Sequence, residues 1–583
     1  MPKFQSEQDL NRFLDSIKDE AKEARGELDK NIADNLNQFR GKQWNSKSSP
    51  AFLNNIIESA IEDKVGKLSE TRPNITVLPT VNGLDAVAEI LSKAVSGIWD
   101  RRKVEYKSER VALWGCISGV AFVGTPYNHL LNGGVGDADF IIKDPRTCGI
   151  DICVTNPEDA DLGEYTVIED FVALDQVRND YPGRGALVKP DARIGGYTAQ
   201  PEHTAQNLLR GAWSRLFGGK KAEKTSAIPK AIIEEFYVQD RRASIEDTGV
   251  VPIVDGLTTW APDKGIPFPG GRRILRAGDV ILCDEFNPFW DGAPPLDMLG
   301  WKIDPETAWA GDEIRGVKRM QQAHNRLGDA YTKSALLNTV VRVIMDQGAL
   351  SPTEQNKLSN EVGQIIEKAM GRTLEYQVPP VLPVDIINFA TTLGQWIREK
   401  IGVADPPLSK QVPSIVTGPA IEGLQLMLQT PIRTAARRIE EFYQRIGQKL
   451  VSRIFQFYTS DRIIHLIGPD QKWAKFEFNR LNMLKDKNGK IRSQEDVRKA
   501  YRDFYFTIEP GSSLAVTKTQ RAQSKFLLVQ MGLLHPEEIL MEFYKNPQDK
   551  LKRAQEAKEQ GLYAGLENNK APQMPGQNGN MAA

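Results

Sequence analysis

The amino-acid sequence predicts an α+β protein built from several domains. Its 583 residues exceed the length over which one hydrophobic core keeps growing. Apolar residues recur every three or four positions in long stretches, most clearly over residues 421–457, and this spacing indicates amphipathic helices. Between residues 137 and 170 apolar and polar residues alternate instead, which is typical of half-buried strands. The chain should therefore combine helical regions with a β-rich region.

The overall charge limits how the chain can bind nucleic acid. Lysine and arginine number 75 against 76 aspartate and glutamate, so the net charge is −1. Such a chain is not a general polyanion binder, and any contact with nucleic acid must be local. No apolar run approaches the roughly 18 residues needed to cross a membrane, and the polar N-terminus does not have the pattern of a signal peptide. We therefore expect no membrane partner.

The residue types that carry catalysis or bind metals are scarce and scattered. There is no G-x-x-x-x-G-K-[ST] phosphate loop, and residues 115–119 (GCISG) are not the G-x-S-x-G of a hydrolase. The five histidines are far apart in the chain. We expect the four cysteines to be reduced and structural, because Cys148 and Cys153 have no second pair with which to bind zinc. The sequence thus predicts no enzyme, no cofactor and no metal site.

The regular elements can be placed from periodicity and from breaks at glycine and proline. Gly115 and Gly119 should allow a neighbour to approach one of the helices closely. Residues 184–229 are rich in Gly, Ala, Lys and Thr and read as an insertion, and residues 567–583 lack a core and should be disordered. Helices are predicted over 6–37, 52–68, 84–99, 108–123, 514–531, 536–544 and 547–562, and strands over 74–78, 137–154, 165–170, 231–240, 250–260, 273–289, 462–467, 474–479 and 504–509.

The most informative stretch begins with a helix predicted over residues 311–337. A basic stripe follows one face of this helix, and apolar residues on the opposite face should pack against neighbours. The stripe has three open interpretations: a solvated face, a contact with DNA, or an interface with a neighbouring subunit. The basic face holds Arg315, Lys318, Arg319, Gln322, Arg326 and Lys333, and the apolar face holds Val317, Met320, Leu327, Tyr331 and Ala335.

A small hairpin and a second helix follow the first. Strands are predicted over 339–345 and 374–378, with a capping box at 351–354 that opens a short helix closed by Gly371. The second helix, over 384–401, should return antiparallel to the first. Its predicted buried stripe is Ile386, Ile387, Ala390, Leu393, Trp396, Ile397 and Ile401.

A proline-rich loop separates the second helix from the long one. Residues 405–419 (DPPLSKQVPSIVTGP) cannot form a continuous helix, and Lys410 and Gln411 lie near the tip of this loop. Lys410 can equally be read as an ordinary loop lysine. The long helix over 421–457 should be kinked at Pro431.

This order of elements resembles the portal proteins of tailed bacteriophages. Local phrases support the resemblance: residues 38–44 (QFRGKQW), residues 65–79 (VGKLSETRPNITVLP), and Pro510-Gly511-Ser512-Ser513 followed by Lys518, Gln520 and Arg521. The resemblance implies a portal-type fold with a mixed α/β wing, a helical stem, a small α/β clip, a long kinked helix and a helical crown. The implied boundaries are 1–303 for the wing, 304–338 and 383–404 for the two stem helices, 339–382 for the clip, 405–419 for the tunnel loop, 420–524 for the long kinked helix and C-terminal wing, 525–566 for the crown, and 567–583 for the disordered tail.

The resemblance also implies a function and a set of partners. The expected assembly is a dodecameric ring at one capsid vertex, formed in the host cytoplasm and retained in the virion, through which double-stranded DNA passes during packaging and ejection. The terminase large subunit would dock on the clip, and the major capsid, scaffolding and tail adaptor proteins would be further partners. Alternatives are a head-tail adaptor ring without a role in DNA translocation, and a packaging enzyme. The implied DNA-facing residues are Lys410, Gln411, Arg315, Lys318, Arg319, Arg326 and Lys333, and the implied docking residues of the clip are Val341, Val343, Glu354 and Tyr376.

Overall fold

A computed structural model describes residues 7–43, 52–69, 75–134, 136–190, 229–239, 253–254, 257–258, 271–339, 342–355, 369–377, 384–403, 430–458, 462–467, 473–478 and 500–508. The chain divides into two compact units, one formed by Met1–Thr76, Arg102–Gln456 and Phe506–Leu514, the other by Val77–Arg101, Phe457–Tyr505 and Ala515–Ala583. Both helices and sheets are abundant, which is compatible with the predicted α+β class.

The described helices and strands follow one another as predicted in most places. The helices are α1 (Glu7–Arg25), α2 (Leu28–Phe39), α3 (Ile56–Ser69), α4 (Asp85–Arg101), α5 (Val104–Ser118), α6 (Leu174–Asp180), α7 (Lys318–Thr339), α8 (Pro352–Gln355), α9 (Val384–Ile401) and α10 (Thr430–Phe457). The strands are β1 (Ile75–Pro79), β2 (Val120–Gly124), β3 (Tyr127–Asn128), β4 (Asp137–Ala138), β5 (Ile141–Lys143), β6 (Cys148–Ile150), β7 (Tyr165–Ala173), β8 (Lys230–Val238), β9 (Ile253–Val254), β10 (Leu257–Thr258), β11 (Arg272–Ala277), β12 (Val280–Phe286), β13 (Leu296–Gly300), β14 (Arg342–Met345), β15 (Leu374–Gln377), β16 (Arg462–Ile467), β17 (Trp473–Phe478) and β18 (Phe504–Ile508).

Two helices predicted in the N-terminal part of the chain were wrong in their extent. The single helix expected over residues 6–37 is interrupted at Gly26, whose φ of +54° lies in the left-handed region and separates α1 from α2. The helix expected over 108–123 ends at Ser118, because Gly119 adopts a left-handed cap with φ of +81°. Residues Val120–Gly124 then form a fully buried strand, and a short apolar run of this kind cannot be told from a helix by periodicity alone.

The β-rich region folds into a five-stranded antiparallel sheet in the order β12-β11-β8-β7-β6. The amphipathic helix α1 covers one face of this sheet through Leu10, Leu14 and Ile17. Ion pairs fasten the same helix, since Lys18 binds Glu169 at 2.6 Å between Nζ and Oε1 and also contacts Glu234. The sheet therefore holds α1 by apolar packing and by charge.

A second, three-stranded sheet in the order β13-β2-β5 lies beside α5. A Cβ atom at Gly115 of α5 would overlap the Trp301 ring, so the predicted close approach at this glycine is confirmed. Strand β13 was missed by the sequence analysis. Asp297, the second of its five residues, is buried, and a carboxylate inside the segment interrupts the apolar pattern by which a buried strand is recognised.

Basic side chains of the long helix α10 donate hydrogen bonds to carbonyl groups at the open edge of that sheet. Strand β13 is an edge strand, so some of its carbonyl groups have no strand partner. Arg445 donates to the Met298 carbonyl at 2.9 Å, and Lys449 donates to the Leu296 carbonyl at 3.0 Å. Burial raises the pKa of the Asp297 carboxyl even though Lys449 lies 3.0 Å away. The basic residues on this face of α10 thus complete the sheet.

In the smaller unit, α4 lies against the hairpin formed by β16 and β17, whose register pairs Arg462 with Phe478. Both strands were predicted. Several other predictions lie outside the described residues: most of the insertion (191–228), the loop over 405–419, the start of the long helix before Thr430 on which the kink expected at Pro431 depends, the helices after residue 514, and the disordered tail.

Candidate nucleic-acid interface

The helices α7 and α9 form an antiparallel pair joined by the β14–β15 hairpin. The His324 ring nitrogen Nδ1 lies 2.9 Å from the Ala390 carbonyl oxygen, and a Cβ at Gly316 would lie 3.2 Å from the Lys400 side chain. The first residues of α7 are therefore level with the last residues of α9, as the sequence predicted. The described helix α7 begins at Lys318 and not near Gly311, because the preceding turn closes through a hydrogen bond from the Val317 amide to the Ile314 carbonyl.

The turn before α7 is organised around the buried carboxylate of Glu313. This group binds Lys64 of α3 at 2.5 Å through Oε1 and Lys302 at 2.5 Å through Oε2, and it accepts the Trp301 indole N–H at 2.9 Å. Lys64 also donates to the carbonyl of Ile401 at the end of α9, at 2.9 Å. One ionic centre thus joins α3 to the beginning of α7 and to the end of α9. We call it the Glu313 centre.

The surroundings of Glu313 favour its ionised carboxylate. Burial by itself raises the pKa of the Glu313 carboxyl, but Lys64 and Lys302 outweigh burial and hold that pKa below its ordinary value. Lys64 is nearly inaccessible to solvent. A buried ion pair of this kind is costly to form but very sensitive to loss of one partner.

The buried face of α7 is polar, contrary to the prediction. Gln321 donates from Nε2 to the Asn54 carbonyl at 2.5 Å and accepts from the Ile56 amide at 3.2 Å. Asn325 accepts from the Asn54 amide at 3.3 Å and donates to the Gln43 side chain. Because hydrogen bonds are directional, this amide network fixes the rotation of α7 about its own axis.

The basic stripe is accessible along most of the described helix. Arg315 is exposed in the turn before α7, and Arg319 and Arg326 are exposed on α7 itself. Lys318 lies 3.2 Å from Asp34 of α2, and Lys333 lies 2.6 Å from Asp329 one turn earlier. Each pair has one largely exposed partner, and such ion pairs near the surface contribute little free energy, so the two lysines can exchange these partners at small cost.

The apolar residues predicted to anchor the helix pair are only partly buried. Val317, directly before α7, and Leu393, Ile397 and Ile401 on α9 are buried as expected. Tyr331 is 48% exposed and Trp396 46% exposed, so both predictions of a packed side chain were wrong for this chain on its own. The remaining members of the two predicted stripes are Met320, Leu327, Ile386 and Ala390, which are half-buried, and Ala335 and Ile387, which are exposed.

The hairpin between the helices brings two of the four predicted docking residues together. Strands β14 and β15 pair antiparallel, with Val343 directly opposite Tyr376. Glu354 lies in the short helix α8, and Val341 lies outside the described residues. Lys410 and Gln411, predicted at the tip of the proline-rich loop, are also outside the described residues.

The sequence analysis missed the residues that fix the base of the helix pair. A signal for the amide network existed, because Gln321, Asn325 and Gly328 share the helical face of Val317, and Gln43 belongs to the phrase QFRGKQW. No local signal identifies Glu313, since its partner Lys64 lies 249 residues earlier in the chain. Such a centre is recognisable only after folding.

Two features of other protein classes are absent from the described ranges. There, no helix combines the length and hydropathy that a membrane crossing requires. No group of three or more His, Cys, Asp or Glu side chains in the same ranges is placed to hold a metal ion.

Comparison with known families identifies the class of protein to which this chain belongs. Residues 8–578 match the family described as the phage P22-like portal protein. The match covers nearly the whole chain, and the chain belongs to this family of tailed-phage portal proteins. No curated protein matches the chain.

Proposed function

We propose that this chain forms the portal ring at one vertex of a phage capsid, the channel through which double-stranded DNA is packaged and ejected. The observation that carries the proposal is the family match over residues 8–578. The antiparallel helix pair supports it with a suitable wall element, because a helix of 22 residues is about 33 Å long at 1.5 Å per residue. A dodecamer would repeat this wall around one axis, with a closed symmetry typical of oligomers.

The electrostatics of the chain suit a channel that lets DNA slide. With a net charge of −1, the protein has no uniformly basic surface that would neutralise many phosphates and hold the duplex in place. The exposed guanidinium groups of Arg315, Arg319 and Arg326 offer local contacts, and Lys318 and Lys333 are paired with carboxylates. Repetition around a ring would turn these side chains into belts that contact phosphates without reading bases.

The loop over residues 405–419 is the proposed constriction, with Lys410 and Gln411 nearest the DNA. The β14–β15 hairpin, with Val343, Tyr376 and Glu354, together with Val341, is the proposed clip on which the terminase large subunit docks. Capsid, scaffolding and tail adaptor proteins would contact other parts of the ring. The protein would act in the virion without cofactor or catalytic residues of its own, and the terminase would supply the work.

Imaging and native mass of the purified full-length chain test the ring directly. A closed ring of about twelve copies with a central hole is expected, since a cyclic assembly is what a channel requires. A compact dimer without a channel would contradict the proposal. A ring that assembles but whose loss leaves particles filled with DNA would favour a head-tail adaptor instead.

The variant Lys410→Ala tests the constriction. It should leave the ring intact but lower the DNA content of particles, because one phosphate contact per subunit is lost at the narrowest point. Lys30→Ala, which removes one exposed lysine of α2, is the matched control for net charge. Equal DNA content in the two variants would remove the loop from the proposal.

The variant Val343→Asp tests the clip. A charge placed directly opposite Tyr376 should block assembly of the ring or docking of the motor, because it adds an ion at a contact surface. The circular dichroism spectrum should stay that of the native chain. Normal packaging by this variant would show that the docking surface lies elsewhere.

A further inference from the structure

The helix pair carries an aromatic surface that nothing in the described chain covers completely. Phe389 and Trp396 of α9 are 48% and 46% exposed, and their rings meet edge to face at 85° with centroids 6.3 Å apart. Large aromatic side chains carry much of the energy of protein interfaces, and an exposed pair of them indicates a contact site. We call Phe389 and Trp396 the aromatic pair.

The aromatic pair lies on one flank of α9 and not on the side that packs against α7. At about 100° per residue, Phe389 and Trp396 are displaced by about 100° and 120° from Ala390, which contacts His324 of α7. Ile387 is also exposed, but it is rotated around α9 from Ala390 in the opposite direction and so lies on the other flank of the helix. The same helix therefore offers an aromatic flank and, in Ile387, an exposed aliphatic residue for comparison.

Two arginines of the basic stripe lie on the side of α7 turned away from α9. Arg319 and Arg326 are about 140° and 160° around the helix from His324, the residue that contacts Ala390. Because Gly316 is beside Lys400 and His324 is beside Ala390, Arg319 is level with Trp396 and Arg326 is level with Phe389 to within about one residue. The cationic and aromatic groups thus have the same spacing along the pair.

A ring contact requires two different faces that complement each other, since each copy uses one face toward the preceding copy and another toward the next. Rotation about an axis parallel to the helices leaves every residue at its own level. It therefore brings Arg319 of one copy level with Trp396 of the next, and Arg326 level with Phe389. Guanidinium groups stack favourably on aromatic faces. We propose that the basic side of α7 packs against the aromatic pair of a neighbouring copy, through Arg326 on Phe389 and Arg319 on Trp396.

This contact rests on the proposed ring and deepens it. Duplex DNA presents phosphates to the channel wall and keeps its bases stacked, so DNA offers no surface that fits the aromatic pair. The stacked guanidinium plane still leaves its N–H donors, which lie in that plane, available to phosphate. The neighbouring copy would hold the two arginines in place with the edges of their guanidinium groups turned toward the channel.

The aromatic side of the contact is tested with Phe389→Ala and Trp396→Ala, each compared with Ile387→Ala. Each aromatic substitution should lower the association constant between subunits by roughly 5- to 30-fold, the range of a partly desolvated cation–aromatic contact. Native mass spectrometry of the full-length chain over a dilution series measures this change. Ile387→Ala should associate like the wild type, because it removes exposed apolar surface from the other flank.

The cationic side is tested with Arg326→Lys and Arg326→Gln. Stacking depends on the planar guanidinium, so the lysine variant should weaken the ring nearly as much as the glutamine variant. A contact that needed only positive charge would spare Arg326→Lys. If Arg326→Lys and Trp396→Ala both leave the wild-type association constant unchanged, the contact does not exist.

Cross-linking gives the geometric test. A chain with both Arg326→Cys and Phe389→Cys, treated with a short bismaleimide, should give a ladder of covalent multimers, while each single variant gives only the background from exposed Cys153. A wild-type protein that forms no ring would overturn the proposed function and this contact with it. A ring without the ladder would overturn the contact alone. A ladder that Trp396→Ala weakens would support it.

Discussion

The two ends of the α7–α9 helix pair are built on opposite principles. At the base, polar groups are buried and bonded within the chain: Glu313 binds Lys64 and Lys302, and Gln321 and Asn325 form the amide network. At the far end, apolar side chains are exposed. Ile344 of the hairpin is 54% exposed, and Met370 is fully exposed.

This difference separates what one chain stabilises from what an assembly must stabilise. A two-stranded hairpin is marginal in water by itself, whereas a buried polar centre with its partners in place specifies one arrangement. The base should therefore be rigid in an isolated subunit. The far end and the aromatic pair should depend on neighbouring copies.

The largest expected effect comes from removing the charge of Glu313. Glu313→Gln leaves Lys64 buried without its counter-ion, and this should cost about 3–5 kcal/mol of unfolding free energy. Thermal unfolding of the larger unit measures the loss. Glu306→Gln, an exposed position in the same segment, should change the transition very little.

Acid should erase the difference between the wild type and Glu313→Gln. The folded pKa of Glu313 is held below its ordinary value of 4.5. The Glu313 carboxylate therefore binds a proton more tightly in the unfolded chain than in the folded one. The stabilisation is then fully present above pH 4.5 and is lost as the pH falls through the folded pKa. A gap between the two proteins that persists unchanged after the pH has fallen through the folded pKa of Glu313 would mean that the carboxylate charge is not its source.

A smaller effect is expected at the contact between Phe52 and the middle of α7. A Cβ atom at Gly328 would overlap the Phe52 ring, so Gly328→Ala should cost about 1–3 kcal/mol through overpacking. At Gly66 of α3, an added Cβ would meet no atom of the described residues within 4 Å, and Gly66→Ala should instead stabilise its helix by up to about 1 kcal/mol. Equal shifts in melting temperature for both variants would show that the base is not closely packed.

The smallest effect is expected in the hairpin. The Asp346 carboxylate accepts the amide and the hydroxyl of Thr373, both at 2.7 Å, and these bonds lower the pKa of Asp346. Asp346→Ala should speed hydrogen exchange of the Thr373 amide several-fold and leave the melting of the larger unit unchanged. Asp346→Asn keeps one acceptor oxygen, so the exchange rate of its Thr373 amide should lie between those of the wild type and Asp346→Ala. A cooperative loss of the larger unit would mean that the hairpin is part of the base.

Much of the α7–α9 region could be predicted because its signals are local. The bounds of α9, the pairing of residues 342–345 with 374–377, and the exposure of Arg315, Arg319 and Arg326 follow from periodicity, from proline and glycine breaks, and from charge. The start of α7 was misplaced by about two turns, since the segment before Lys318 has no proline and is turned by contacts to other parts of the chain.

The candidate site was predictable only in its charges. Spacing places Arg319 and Arg326 on one face whatever the surroundings, but it does not say which face a helix buries. The apolar residues Tyr331 and Trp396 were assigned to the interior on hydrophobicity, and both are about half exposed. The interior position on α7 belongs to Gln321 and Asn325, because Gln43 and Asn54 from the N-terminal region supply their hydrogen bonds.

The class of fold, the order of the helices and strands, and the face of α7 that carries positive charge are all set by local sequence, because they depend on residues within a few turns of one another. Which polar groups could be buried was settled by tertiary packing instead. Glu313 lies 249 residues from Lys64, and Gln43 lies 282 residues from Asn325. A buried charge or amide is stable only where a hydrogen-bonding or ionic partner lies within reach. When the partner is this distant in sequence, the packing of the whole unit determines whether it does.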